Sequence, residues 1–346
     1  MGTKRLFIVG AGSSIDFDFP LGIDLMESIY MKWKSPNDDM RGLLGTICRL
    51  FNLSLGEASY DLAINNYADK LYYSAATSID NFLSRADREI LEKFGKATIL
   101  TEILGNEQKA STKTKNELFK FRENWLRELF ARFFRDHKTV KELKDDLTNN
   151  TLEFIIFNYD RCIEHFLFTA IKNYYSIRNA EEVYEILNCI RFHHIYGSIS
   201  KMEWEIDKET KDLEEKGLPD NRLKAHKTFV EFGKHLKYDD DTPYYETIVS
   251  LLPNIKVIGE ETAETDYGKL IKDADIVCIL GYGFLRENNE LLKLSDIKKA
   301  SRTKGKFHIS TYKLNKYKIK YINDVFGVAG ESHDDNIYDF MRHNIF

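Results

Sequence analysis

The chain has 346 residues, 43% of them apolar and 30% charged, with a formal net charge of −5. That balance suits a folded α/β protein with a sizeable core. It argues against a disordered chain and against a globally basic binder of nucleic acid or anionic membranes. No signal peptide and no run of about 18 apolar residues is visible, so a cytoplasmic protein without direct nucleic-acid or membrane partners is expected.

The first element is Leu6 to Val9, a short apolar run suited to a strand buried on both faces of a parallel sheet. Gly10-Ala11-Gly12-Ser13-Ser14 follows at once. Glycines there permit a sharp turn and a close approach to a ligand, and outward amides would suit phosphate. The dinucleotide fingerprint needs a third glycine where Ile15 stands, so this is not the ordinary Rossmann turn. A tight connection with no ligand fits the same residues. After Pro20 and Gly22 a helix is predicted over about 23–34.

From about 35 to 150 the pattern is helical, with no convincing strand. Leu118, Phe121, Trp125 and Leu129 recur at helical spacing, as do Leu126, Phe130, Phe133 and Phe134, which predicts one helix with a wide apolar face. Lys109 to Lys115 is polar and basic and reads as a loop. Strands resume at Leu152–Phe157, and Asn158-Tyr159-Asp160 forms the turn into a helix over about 161–174, with Asp160 placed to cap it. A helix over about 180–187 leads to the strand Cys189–Tyr196, which ends in Gly197-Ser198.

Residues 200–250 are charged and lack a clear period, as in an insertion. Ile255–Ile258 and Asp275–Leu280 read as strands, the second followed by Gly281-Tyr282-Gly283-Phe284. A helix near 289–300 and a strand at Phe307–Tyr312 complete the unit, and the tail 313–346 reads as partly helical. The four cysteines, Cys48, Cys162, Cys189 and Cys278, include no C-x-x-C pair, so a four-cysteine zinc ribbon is excluded and no metal is expected.

The pattern predicts a Rossmann-like, doubly wound parallel sheet over about 1–312 with a helical insertion. Ligands in such sheets bind beyond the carboxyl ends of the strands, where the four polar turns Gly10–Ser14, Asn158–Asp160, Gly197–Ser198 and Gly281–Phe284 all fall.

Those turns, in that order, resemble the sirtuin-like NAD-hydrolases of bacterial antiphage defence: G-A-G-S-S at 10–14, F-N-Y-D at 157–160, Y-G-S at 196–198 and G-Y-G-F at 281–284, with Asn288 and Asn289 beyond. The resemblance spans most of the chain but rests on few of its residues. It implies an NAD pocket under a helical cap. Gly10, Ala11, Gly12 and Ser13 would meet the diphosphate and its ribose. Asn158 would match the catalytic asparagine and Asp160 the aspartate beside it. Gly197, Ser198, Gly281 and Gly283 would complete the NAD-binding turns. The chain departs from the family at Tyr196, where the family places its catalytic histidine. His194 is the nearest histidine on the same strand face, because side chains alternate with period two, and His193 faces the other way.

The residue types suit the chemistry. Breaking the nicotinamide–ribose bond develops positive charge on the sugar, and the leaving group is already cationic, so no general acid is required. An amide such as Asn158 can hold the attacking water, and a histidine such as His194 can take its proton. NAD is then substrate, and nicotinamide and ADP-ribose are the products. The chain has no zinc module of the deacylating sirtuins, which favours hydrolysis over deacylation. The alternative is a catalytically silent NAD or ADP-ribose sensor that regulates a partner, and Tyr196 supports it. The aromatic face at 118–134 and the apolar end Asn344-Ile345-Phe346 point to a homo-oligomer. A partner protein or phage-derived trigger is implied by the resemblance.

Overall fold

All but one of the strands that the apolar runs predict pair in parallel, around the first of them. The computed structural model describes residues 2–56, 58–111, 116–216, 229–234, 244–260, 265–300, 306–327 and 330–343. Its sheet comprises β1 (Arg5–Val9), β2 (Leu152–Ile156), β3 (Ile190–His194), β4 (Ile276–Leu280), β5 (Phe307–Ser310) and β6 (Gly330–His333), in the spatial order β3-β2-β1-β4-β5-β6. This is the doubly wound order, and its switch point lies between β1 and β4. β1 pairs in register with both neighbours, Val9 lying beside Ile156 and Leu280. Leu6 to Val9 are buried, as a strand covered on both faces requires.

Side chains of one face form a ladder across the strands: Phe7 stacks on Phe154, Phe154 on Phe192, and Phe133 packs edge-on against Phe7. The opposite face carries Glu153 and His193, with Tyr267 against the histidine ring. Helices therefore cover both faces.

Between β1 and β2 the described residues form helices only: α1 (Gly22–Lys34), α2 (Asp38–Phe51), α3 (Tyr60–Tyr73), α4 (Ile79–Leu83), α5 (Glu89–Ser111), α6 (Trp125–Phe133) and α7 (Val140–Asn149). The helical insertion is thus as the pattern predicts. Its centre is α5, buried at positions all round its axis, against which Trp33 of α1 stacks through Phe94 and donates its indole N–H to Thr98 (3.1 Å). The remaining helices are α8 (Cys162–Tyr174), α9 (Ala180–Leu187), α10 (Glu203–Glu215), α11 (Tyr244–Ser250), α12 (Tyr267–Asp273), α13 (Arg286–Leu291), α14 (Leu294–Ala300), α15 (Lys316–Phe326) and α16 (Ile337–His343).

Four expectations are corrected. The helix predicted across 118–134 is a 3-10 turn, Glu117–Phe119, followed by α6. Glu123 adopts a left-handed φ of 51° and Asn124 caps α6, so the chain reverses and Phe121 is left 89% exposed. The loop predicted at 109–115 is helical over its first three residues, since α5 runs through Ser111, and 112–115 lie outside the described residues. Ile255–Ile258 is no strand: Ile255 makes a single antiparallel bridge to Gly197, and the run is apolar because Ile255 and Val257 are buried. The tail is partly helical as predicted but also supplies β6, so the boundary at 312 falls inside the sheet. Asn344 to Phe346 lie outside the described residues.

Candidate functional site

The turns after β1, β2 and β4 meet at the carboxyl edge of the sheet, and glycine is what lets them meet. A Cβ on Gly10 would stand 2.6 Å from the Gly281 carbonyl oxygen, and one on Gly12 would stand 2.9 Å from the Gly281 Cα. Gly281 has φ +57°, and a Cβ there would strike the Ser13 nitrogen. Backbone bonds close the joint: Gly10 N–H donates to Leu280 (3.0 Å) and Gly12 N–H to Gly281 (3.0 Å). The amides of Ser13 and Ser14 are used within the turn, donating to Gly10 and Ala11. The glycines expected to admit a ligand therefore first admit one another's backbone. Gly283 is different, since a Cβ there would meet open space.

A polar network hangs from this joint. Asn158 donates its amide to Ser14 Oγ (3.0 Å), Ser14 donates its hydroxyl to Asp160 Oδ2 (2.9 Å), and Asp160 Oδ1 accepts the Cys162 amide (3.2 Å) at the first turn of α8. Ser13 donates its hydroxyl to the Gly10 carbonyl and lies 3.5 Å from the Asn158 amide. Asp160 stands one residue before the N-cap, Arg161, instead of at the N-cap position that the sequence suggests, and ties the first amide of α8 to Ser14. Burial raises its carboxyl pKa, against the lowering effect of those donors. Asn158 is only 8% exposed, and its Oδ1 is buried with no hydrogen-bond partner among the described residues.

His193 and His194 point to opposite faces, as alternation predicts. His194 approaches the network from below rather than entering it. Its Nδ1 lies 3.1 Å from the Asn158 carbonyl oxygen, and its Nε2 is hydrogen-bonded to Glu164 on α8. Burial alone would lower its pKa, but the charge and hydrogen bond of Glu164, helped by Glu205, raise it to about 9. At neutral pH the ring is then an imidazolium donating at both nitrogens, with no lone pair for a proton. In this geometry both ring nitrogens of His194, the base that the sequence suggests, are engaged, one by the Asn158 carbonyl and one by Glu164.

Tyr196 is buried and donates its hydroxyl to Asn288 Oδ1 (2.6 Å), while Tyr282 donates to Asn289 Oδ1 (3.1 Å). The two rings flank Phe157. Gly197, with φ +76°, lets the chain pass against Asn254, and Ser198 donates to Ser200 within its own loop (3.2 Å). Gly197 and Ser198 therefore shape the turn behind the network.

The helical insertion touches the segments that follow β1 and β2. Trp125 donates its indole N–H to the Ser13 carbonyl (2.8 Å), and Lys120 donates to the Asp16 carbonyl (2.7 Å). Tyr159 is hydrogen-bonded to Asp80, whose burial raises its carboxyl pKa to about 6. Arg161 is clamped by Glu107 of α5 through Nε (3.1 Å) and Nη2 (2.7 Å), both side chains being fully enclosed. Sequence reasoning did not single out Glu164, Glu107, Arg161 or Asp80, and it read Trp125 only as part of an apolar helix face. The one legible signal was that Arg161 and Glu164 are charged within the first turn of an otherwise apolar helix pattern.

Across the switch point, a cleft of about 640 Å³ opens between the loops that follow β4 and β5. Phe284, Tyr317 and Tyr321 give it aromatic walls, with Arg286, Asn315 and Lys318 among the polar lining. No family model matches the chain, and no curated protein matches it.

Proposed function

We propose that the chain binds NAD across the switch point and hydrolyses its nicotinamide–ribose bond, with Asn158 holding the attacking water. The observation that carries this reading is the unpartnered, buried Oδ1 of Asn158. A buried amide oxygen without a donor costs about 1–3 kcal/mol, so such an atom calls for a water or a ligand hydroxyl. It stands at the end of β2 beside the β1 turn, where a doubly wound sheet holds its ligand. The aromatic lining of the 640 Å³ cleft on the other side of the switch suits the base of a nucleotide and Lys318 its phosphates, Arg286 being paired with Glu290 in the same lining.

On this reading Asn158 orients water or ribose at the anomeric carbon, and Ser13, Ser14 and Asp160 hold the amide in place. The leaving nicotinamide is neutral once released, so the step needs placement more than proton transfer. The motif resemblance extends the proposal to depletion of NAD during defence against phage, set off by a partner protein or a phage-derived trigger. A specific observation favours a second reading, a silent sensor of NAD or ADP-ribose. His194 has both nitrogens engaged, and the Tyr196 hydroxyl is tied to Asn288.

One experiment separates these readings: calorimetric titration with NAD, run beside an assay of nicotinamide release. Binding with release that falls about a hundredfold in Asn158→Ala supports hydrolysis. Binding without release supports the sensor. Absence of NAD binding by the folded protein refutes both.

A further inference from the structure

The strands furthest from Asn158 bring together a second set of polar side chains. Parallel pairing of β5 with β6 aligns His308 with Glu331 and Ser310 with His333. With a period of two, His308, Glu331 and His333 all project from one face. His308 Nδ1 lies 3.7 Å from Glu331 Oε2, and one ligand atom from each of the three residues falls within 4.8 Å of the others. The two imidazoles lie 6.1 Å apart at 23°, and Phe340 of α16 backs the His333 ring at 5.2 Å. His333 Nε2 is closed off from solvent and makes no hydrogen bond among the described residues.

We propose that His308, Glu331 and His333 bind a divalent first-row transition-metal ion of the zinc class. A 3.7 Å His–Glu contact is too long for a hydrogen bond, and a buried, unpartnered ring nitrogen is costly. Both features are accounted for if the atoms face a shared cation. Ligands about 2.0–2.2 Å from zinc lie about 3.3 Å from one another, so the observed spacing closes by small side-chain rotations. Two imidazoles and one carboxylate match zinc or iron(II), whereas magnesium and calcium take oxygen ligands. Three protein ligands leave one position for water, on the side where Glu331 is 44% exposed. The ion would hold the edge strand of the tail to β5, a structural role independent of the NAD reading.

The test is calorimetric titration of the full-length, chelator-treated protein with Zn²⁺, with Co²⁺ absorption to report coordination. One tight equivalent per chain is expected, together with a Zn²⁺-dependent rise in melting temperature. Glu331→Gln and His333→Gln should each weaken binding at least tenfold and abolish that rise. Glu331 is exposed enough for its variant to fold, so it decides the matter should His333→Gln not fold. Absence of a tight equivalent, affinity unchanged in Glu331→Gln, or equal binding of Mg²⁺ would overturn the proposal.

Discussion

The pairing of His194 with Glu164 predicts a specific dependence of stability on pH. Glu164 holds the His194 pKa at about 9, against 6.5 for an ordinary histidine. A raised folded-state pKa gives stability that is fully present below pH 6.5 and is lost as pH rises through about 9. At about 1.4 kcal/mol per pH unit, that gap corresponds to about 3 kcal/mol. The pair is well buried, so solvent screens it little: the side chains are 12% and 5% exposed. At pH 7.5 about 2 kcal/mol should remain, and near pH 10 almost none.

The perturbation is Glu164→Gln, which removes the charge but keeps a side chain able to reach the ring. His194 then loses its main counter-charge, and burial favours the neutral imidazole. Urea unfolding of both proteins at pH 6, 7.5, 9 and 9.5 isolates the pair, because all other titrating groups are common to the two. The stability difference should be largest at pH 6 and shrink steadily towards pH 9.5. A difference that stays flat over that range would show that His194 is not held as an imidazolium. The base role would then reopen.

Two further outcomes follow from the packing. Gly12→Ala places a Cβ 2.9 Å from the Gly281 backbone and should cost about 1–3 kcal/mol, whereas Gly283→Ala meets open space and should change stability by less than about 0.5 kcal/mol, both read from melting curves. Glu107→Gln leaves the enclosed Arg161 guanidinium without its counter-charge and should cost about 3–5 kcal/mol; a loss below about 1 kcal/mol would mean that the clamp is not an ion pair.

Strands were legible in the sequence where both faces are buried. β1 and β4 are essentially continuous apolar runs, β2 is one broken only by Glu153, and β5 alternates Phe-His-Ile-Ser; the apolar residues locate all four to within one or two residues. β6 was not legible: it reads Gly-Glu-Ser-His and is polar because it is an edge strand, with Glu331 and Ser332 open to solvent. Ile255–Ile258 misled in the opposite sense, since burial of alternate residues makes the strand pattern without requiring strand pairing. At the site, alternation correctly separated His194 from His193, but alternation is silent on what stands opposite a side chain. Glu164 reaches His194 from a helix 30 residues earlier, and that contact decides whether the ring is base or cation.

The glycine joint changes how NAD binding should be probed. The motif resemblance assigns Gly10 and Gly12 to the diphosphate and Gly281 to a further NAD-binding turn, yet each of the three has its Cβ direction filled by backbone. A bulky substitution there would force the β1 and β4 turns apart, so lost binding would report a broken joint and not a blocked phosphate. The two roles are not opposed: pulling β1 and β4 together at their ends sets the spacing between the Asn158 network, held on Ser13 and Ser14, and the β4 turn. A ligand spanning the switch point would need that spacing. The informative substitutions are therefore those whose side chains leave the joint alone. Tyr317 is 72% exposed, so Tyr317→Ala removes an aromatic wall of the cleft without opening the core. If NAD binds as proposed, this variant should weaken affinity while leaving the melting temperature unchanged, a separation that no glycine variant can give.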